Sequence, residues 1–179
     1  MADDALPGFL EQCGQLALER ASAPTIEAGA SAFLQALTQA EWRQPELRQV
    51  PVVSELSGLE NPELGLNIGS IVDECSWTPS PRGNDDGVEV ALCPLNVHLD
   101  LGDVIAGFLV AGAGRVYPEH NHPPQELYLM LSGVGSWRHG GNDHYESVSP
   151  GSTLYNPPGV THSVRAGSEP VVAFYALWP

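Results

Sequence analysis

Near the start of the chain, apolar residues recur at helical spacing. Over residues 5–22, Phe9, Leu10, Cys13, Leu16 and Ala17 fall on one stripe and predict an amphipathic helix. Pro24 interrupts it. A second stripe over residues 25–42, made by Ile26, Ala30, Phe33, Leu34 and Leu37, predicts a second helix, with Thr25 as N-cap and Pro45 just past its end. Both helices are expected to cover one side of the remaining fold or a dimer partner. Residues 45–65 hold three prolines and little periodicity and read as a crossing loop. Residues 67–77 read as a strand or two, and the turn-rich run 78–87 as a surface loop. Short apolar runs then alternate with turns, giving strands at 88–92, 95–99, 103–112, 115–121, 126–132, 134–139, 145–148, 152–155, 161–165 and 171–178. Turns fall at 112–114, 140–142, 150–151, 158–159 and 166–167. The pattern predicts a mostly β fold, a sandwich or barrel, preceded by N-terminal α-helices. The expected division is a helical segment with its loop over 1–65 and a β domain over 66–179.

Composition narrows the chemistry. Seven basic residues face 22 acidic ones, a net charge of −15. Such a chain repels nucleic acid and anionic membranes. All seven basic residues are arginines, which removes Schiff-base lysine chemistry and the P-loop. No apolar run reaches membrane-spanning length. The acidic start, Met1-Ala2-Asp3-Asp4, is unlike a secretory signal, so a cytoplasmic location is expected. Cys13, Cys75 and Cys93 are scattered and read as buried reduced thiols.

The stretch 114–133, GRVYPEHNHPPQELYLMLSG, places His120, His122 and Glu126 within seven residues. In an extended strand, His120 and His122 share a face. Pro123-Pro124 argues against both a helix and a central strand and reads as a turn or bulge. Beyond it Glu126, Tyr128 and Met130 share one face, and Leu127, Leu129 and Leu131 the other. A hairpin here would bring the imidazoles and the carboxylate together. A second stretch, GSTLYNPPGVTH, ends in His162. Imidazole with carboxylate suits one divalent zinc, iron, manganese, nickel or cobalt ion. With no cysteine nearby, the site is expected to be open and catalytic rather than closed and structural. Tyr128 reads either as a core aromatic or as a phenol beside the cation, acidified enough to act as a base. Tyr117 either packs at the rim or enters the same cavity. His98, His139 and His144 lie outside the pattern and read as ordinary strand-end or loop histidines.

These two stretches resemble the cupin signatures. Gly114, five residues, His120, one, His122, three, Glu126, six, Gly133 fits the first; Gly151, five residues, Pro157, one, Gly159, two, His162 fits the second. Ala166 stands where the family often has Asn. The resemblance covers about residues 88–178 and implies a cupin double-stranded β-helix, a jelly-roll barrel with the metal inside.

More narrowly, YPEHNHPPQELYLMLSG, YNPPGVTHSVRAG, AFYALWP and the helical SAFLQALTQAEW are similar to the cupin-type dimethylsulfoniopropionate lyases. That resemblance implies metal ligation by His122, Glu126 and His162, with Tyr128 as ligand or base. His120 becomes a ligand or a substrate contact, and Tyr117 a substrate contact or accessory acid-base residue. The implied reaction is a β-elimination. The substrate carboxylate binds the metal, Tyr128 removes the Cα proton, and dimethyl sulfide leaves acrylate behind, with no organic cofactor. An aromatic wall for the sulfonium would come from Tyr117, Trp137 or Trp178. The alternatives are an iron-dependent cupin dioxygenase, which uses a similar ligand set, and a non-catalytic ligand-sensing cupin. The sensing role lacks a basic recognition surface, since the N-terminal part holds only Arg20, Arg43 and Arg48.

Overall fold

Both helical stripes form helices, α1 (Ala5–Glu19) and α2 (Pro24–Thr38), in a computed structural model that describes residues 5–82, 89–140 and 143–179. The acidic start at 1–4, residues 83–87 of the expected 78–87 loop together with residue 88, and residues 141–142 of the expected 140–142 turn lie outside the described residues. Thr25 is not the cap. Pro24 occupies the first helical turn, where its missing N–H costs nothing, and Ala23 holds the N-cap position without a side-chain bond.

The connecting stretch is more ordered than a loop. It carries β1 (Glu41–Trp42), a 3-10 turn at Pro51–Leu56, β2 (Glu60–Asn61) and β3 (Leu66–Asn67). The strand expected over 67–77 is instead a 3-10 turn, Ile68–Ile71, that buries Ile68 and Ile71 ahead of buried Cys75 and Trp77. A short apolar run fits either conformation, because periodicity cannot separate them at that length. Then follow β4 (Thr78–Pro79), β5 (Val90–Pro94), β6 (Leu99–Asp100), β7 (Ile105–Ala111), β8 (Val116–His120) and β9 (Gln125–Ser132). The chain closes with β10 (Gly135–His139), β11 (Glu146–Val148), β12 (Thr153–Asn156), β13 (His162–Ala166) and β14 (Val171–Trp178). Residues 95–97, expected as strand, form a further 3-10 turn.

Two large antiparallel sheets face each other, with the small pairs β1-β6 and β2-β3 beside them. The larger runs β12-β9-β14-β7-β5-β4 and the smaller β11-β10-β13-β8. Every residue of β14 is buried, because its sheet is covered on both faces. On the outer face Leu127, Leu129, Phe174 and Trp178 join one core with Leu10 and Phe33 of the helices. Phe33 meets Phe174 edge-on at 4.7 Å between centroids. On the inner face Tyr128, Met130, Ala173 and Tyr175 pack with Trp137 and Val164 of the smaller sheet. This is a mostly β cupin jelly roll with N-terminal helices laid across its larger sheet. No described helix is long and apolar enough to cross a membrane.

The motif glycines have a backbone reason. Gly114, Gly133, Gly151 and Gly159 take φ of 70°, 74°, 82° and 71°, where side chains are strained. The Gly159 N–H also donates to the His122 carbonyl at 2.8 Å, tying the two motifs together.

Candidate metal centre

The turn through Pro123-Pro124 does not make a hairpin. β8 belongs to the smaller sheet and β9 to the larger, so the prolines carry the chain across the gap between them. Proline cannot donate to a ladder, which suits a crossing rather than a pairing. His120 then faces His162 directly across the β8–β13 pair. Their ring centroids are 4.2 Å apart, and His122 lies 5.1 Å from His162. The ligand atoms of His120, His122 and His162 all fall within 4.8 Å of one another.

Each ring is held the same way. Nδ1 of His120 donates to Pro118 O at 2.9 Å, His122 to Pro124 O at 3.0 Å and His162 to Val160 O at 3.0 Å. A carbonyl only accepts, so each Nδ1 carries hydrogen and each Nε2 turns toward the centre. Glu126, 3% exposed, places Oε2 3.0 Å from His122 Nε2 and 3.2 Å from His162 Nε2. Asn156, fully buried, donates Nδ2 to the same oxygen at 2.8 Å. The buried His162 Nε2 has no hydrogen-bond partner among the described residues. Imidazole Nε2 atoms this close to a carboxylate need a proton or a cation between them, and with each Nδ1 already anchored this donor set fits a divalent ion.

Electrostatics agree. Burial would raise the Glu126 carboxyl, but the His122 and His162 imidazoles outweigh it and hold it down at about 2. Burial lowers His120 to about 4, leaving it neutral and able to ligate. The bond to Glu126 raises His122 against its partial burial. The protein's own groups favour the neutral phenol at Tyr128. Burial, followed by the Glu126 charge, pushes it well above the ordinary phenol value. A phenolate there requires a nearby positive charge.

Tyr128 is buried on the inner face, its ring 6.5 Å from His162 and 5.0 Å from Trp137. Tyr117 is buried too, 4.5 Å from the His120 ring. Trp178 is a correction. It falls on the outer face of β14, against α2 at Gly29, and cannot wall the site. His98 is a buried acceptor for the Ser76 N–H at 2.9 Å. His139 pairs opposite His162 on β10, closer to the centre than its place outside the motif implied. Sequence reasoning missed Asn156 and Arg82. Asn156 carried one signal, a polar residue closing an apolar run. Arg82 carried none. A groove of about 600 Å³ beside Trp42, Leu47 and His98 shares no residue with this centre.

Residues 90–173 match the profile of the dimethylsulfoniopropionate lyase family. In sequence and fold the chain resembles the cupin-type dimethylsulfoniopropionate lyases. The lyase DddQ of Ruegeria pomeroyi is 32% identical over 77 residues, which are 42% of this chain and 37% of that protein. The aligned part is thus little more than a third of the relative's length. The crystal structure of Ruegeria pomeroyi DddQ superposes with a TM-score of 0.74 at 17% identity, over 97% of this chain and 92% of that one. A crystal structure from the pair of DMSP lyases RdDddP and RnDddQII gives 0.70 at 19% identity, over 93% and 94%.

Proposed function

We propose that the protein is a metal-dependent carbon–sulfur lyase that cleaves dimethylsulfoniopropionate to dimethyl sulfide and acrylate. The observation that carries this is the convergence of three Nδ1-anchored imidazoles, two of them within 3.2 Å of Glu126 Oε2, inside the segment that matches the lyase family. His122, Glu126 and His162 are assigned as ligands, with His120 and Tyr128 able to complete the set. A divalent ion held there supplies Lewis-acid polarisation of a carboxylate and positive charge beside the Tyr128 phenol.

The chain's own residues do the rest. Tyr128, as phenolate, takes the proton from the carbon next to the carboxylate. The C–H electron pair forms the C=C bond as the C–S bond breaks. Sulfur keeps that bonding pair and leaves as neutral dimethyl sulfide, with acrylate as co-product and the proton on Tyr128. Trp137, Met130 and Val164, buried in one cluster with Tyr128, limit the access of water to the phenol. Tyr117 stands as accessory acid-base residue or substrate contact.

The test is headspace detection of dimethyl sulfide from purified, metal-loaded protein, with and without oxygen. Equal release under both conditions is expected, and a requirement for oxygen points instead to the dioxygenase. Tyr128→Phe should keep its fold and lose about 10²–10⁴-fold in turnover. Near-normal turnover in that variant moves the base role to Tyr117, and no dimethyl sulfide from loaded protein ends the lyase reading.

A further inference from the structure

The arginines divide by the partners they meet. Among the described residues Arg43 pairs with Asp100, Arg48 with Glu46, Arg115 with Glu89 and Arg138 with Glu119. In a chain with 22 acidic residues that behaviour is expected. Arg165 lies over the Tyr145 ring at 4.4 Å, and Arg82 turns to the phenol of Tyr117, buried beside the histidine cluster. Its Nη1 donates to Tyr117 Oη at 2.8 Å, and its guanidinium carbon lies 5.8 Å from that ring's centroid. Its backbone N–H is fixed by the buried Ser80 hydroxyl at 3.2 Å. From Tyr117 the path to the ligand cluster is one ring contact, 4.5 Å to His120.

We propose that Arg82 is the specificity residue that reads the carboxylate of the substrate. This rests on the reading of the centre as one for a small carboxylate. Arg82 is exposed while the phenol it holds is buried, so the guanidinium spans the boundary between solvent and site. A planar guanidinium offers a carboxylate more donors than Tyr117 occupies. The same positive charge repels a sulfonium, so the zwitterion is oriented with its anionic end toward Arg82 and Tyr117. Tyr117 therefore does not serve as the sulfonium wall, because a cation already sits against its ring.

Calorimetry on metal-loaded protein tests this with acrylate and its neutral isostere acrylamide. Arg82→Met should weaken acrylate about tenfold or more, the worth of a hydrogen bond to a charged group, and leave acrylamide unchanged. Arg82→Lys should recover part of the loss. The KM for dimethylsulfoniopropionate should rise by a similar factor with little change in kcat. Bound metal and Tm should match wild type in both variants. Acrylate affinity in Arg82→Met within about twofold of wild type overturns the assignment. So does an equal loss for acrylate and acrylamide, or wild-type protein that binds neither. If wild type binds acrylate yet releases no dimethyl sulfide, the lyase reading fails, and the acrylate–acrylamide contrast still decides the role of Arg82.

Discussion

Asn156→Ala tests the metal centre through a residue that no motif marks as a ligand. Asn156 is fully buried at the end of β12, in register with Glu126 across the sheet. Its Nδ2 holds Glu126 Oε2 at 2.8 Å, which fixes the carboxylate beside His122 and His162. A hydrogen bond to a charged group contributes about 1.5–3 kcal/mol. Loss of that bond corresponds to metal binding weakened about 10- to 150-fold. Outer partners of metal ligands elsewhere cost about 10–100-fold when removed, the same range by a separate route. The assay is a chelator-competition titration of zinc on wild type and variant. Thermal unfolding of the metal-free forms, run in parallel, separates a lost ligand orientation from a lost fold. A zinc Kd within about twofold of wild type, in a folded variant, would refute the argument that Asn156 orients Glu126 for a metal.

Gly29→Ala on α2 should lower stability, because a Cβ there meets the Trp178 ring and the Leu127 side chain. Helix propensity favours alanine by about 1 kcal/mol, but overpacking costs about 1–3, so thermal unfolding should show a Tm lower by a few degrees. A raised Tm would mean that Trp178 is not wedged against the helix. In metal-free protein, His120 is held neutral down to about 4 by burial. An unfolded imidazole takes its proton near 6.5, so stability should fall as pH drops from about 6.5 to 4. Urea unfolding across that window should show a flatter slope in His120→Gln, and an unchanged slope would remove His120 as its cause. Cys75 and His98 lower the Cys93 thiol to about 7 against its burial. Even so, Cys13, Cys75 and Cys93 are free and buried, so Ellman's reagent should label none in native protein and all three after unfolding. Rapid labelling of the native state would contradict that burial.

The chain's own pattern determined the two helices, the run of strands from 103 to 178 and the types of the candidate ligands. Those features are local. A stripe every three or four residues, a period of two between turns, and glycines forced to positive φ each need only a few neighbours. Tertiary structure alone decided the pairing of His120 with His162, and the crossing at Pro123-Pro124 in place of a hairpin. It also decided which face of β14 met the helices, so that Trp178 fell on the outer face and Tyr175 on the inner one. In β14 both faces are apolar, and alternation between two equally apolar faces carries no direction. Asn156 and Arg82 reach their partners across 30 and 35 residues of sequence, a closure set by sheet order rather than by spacing.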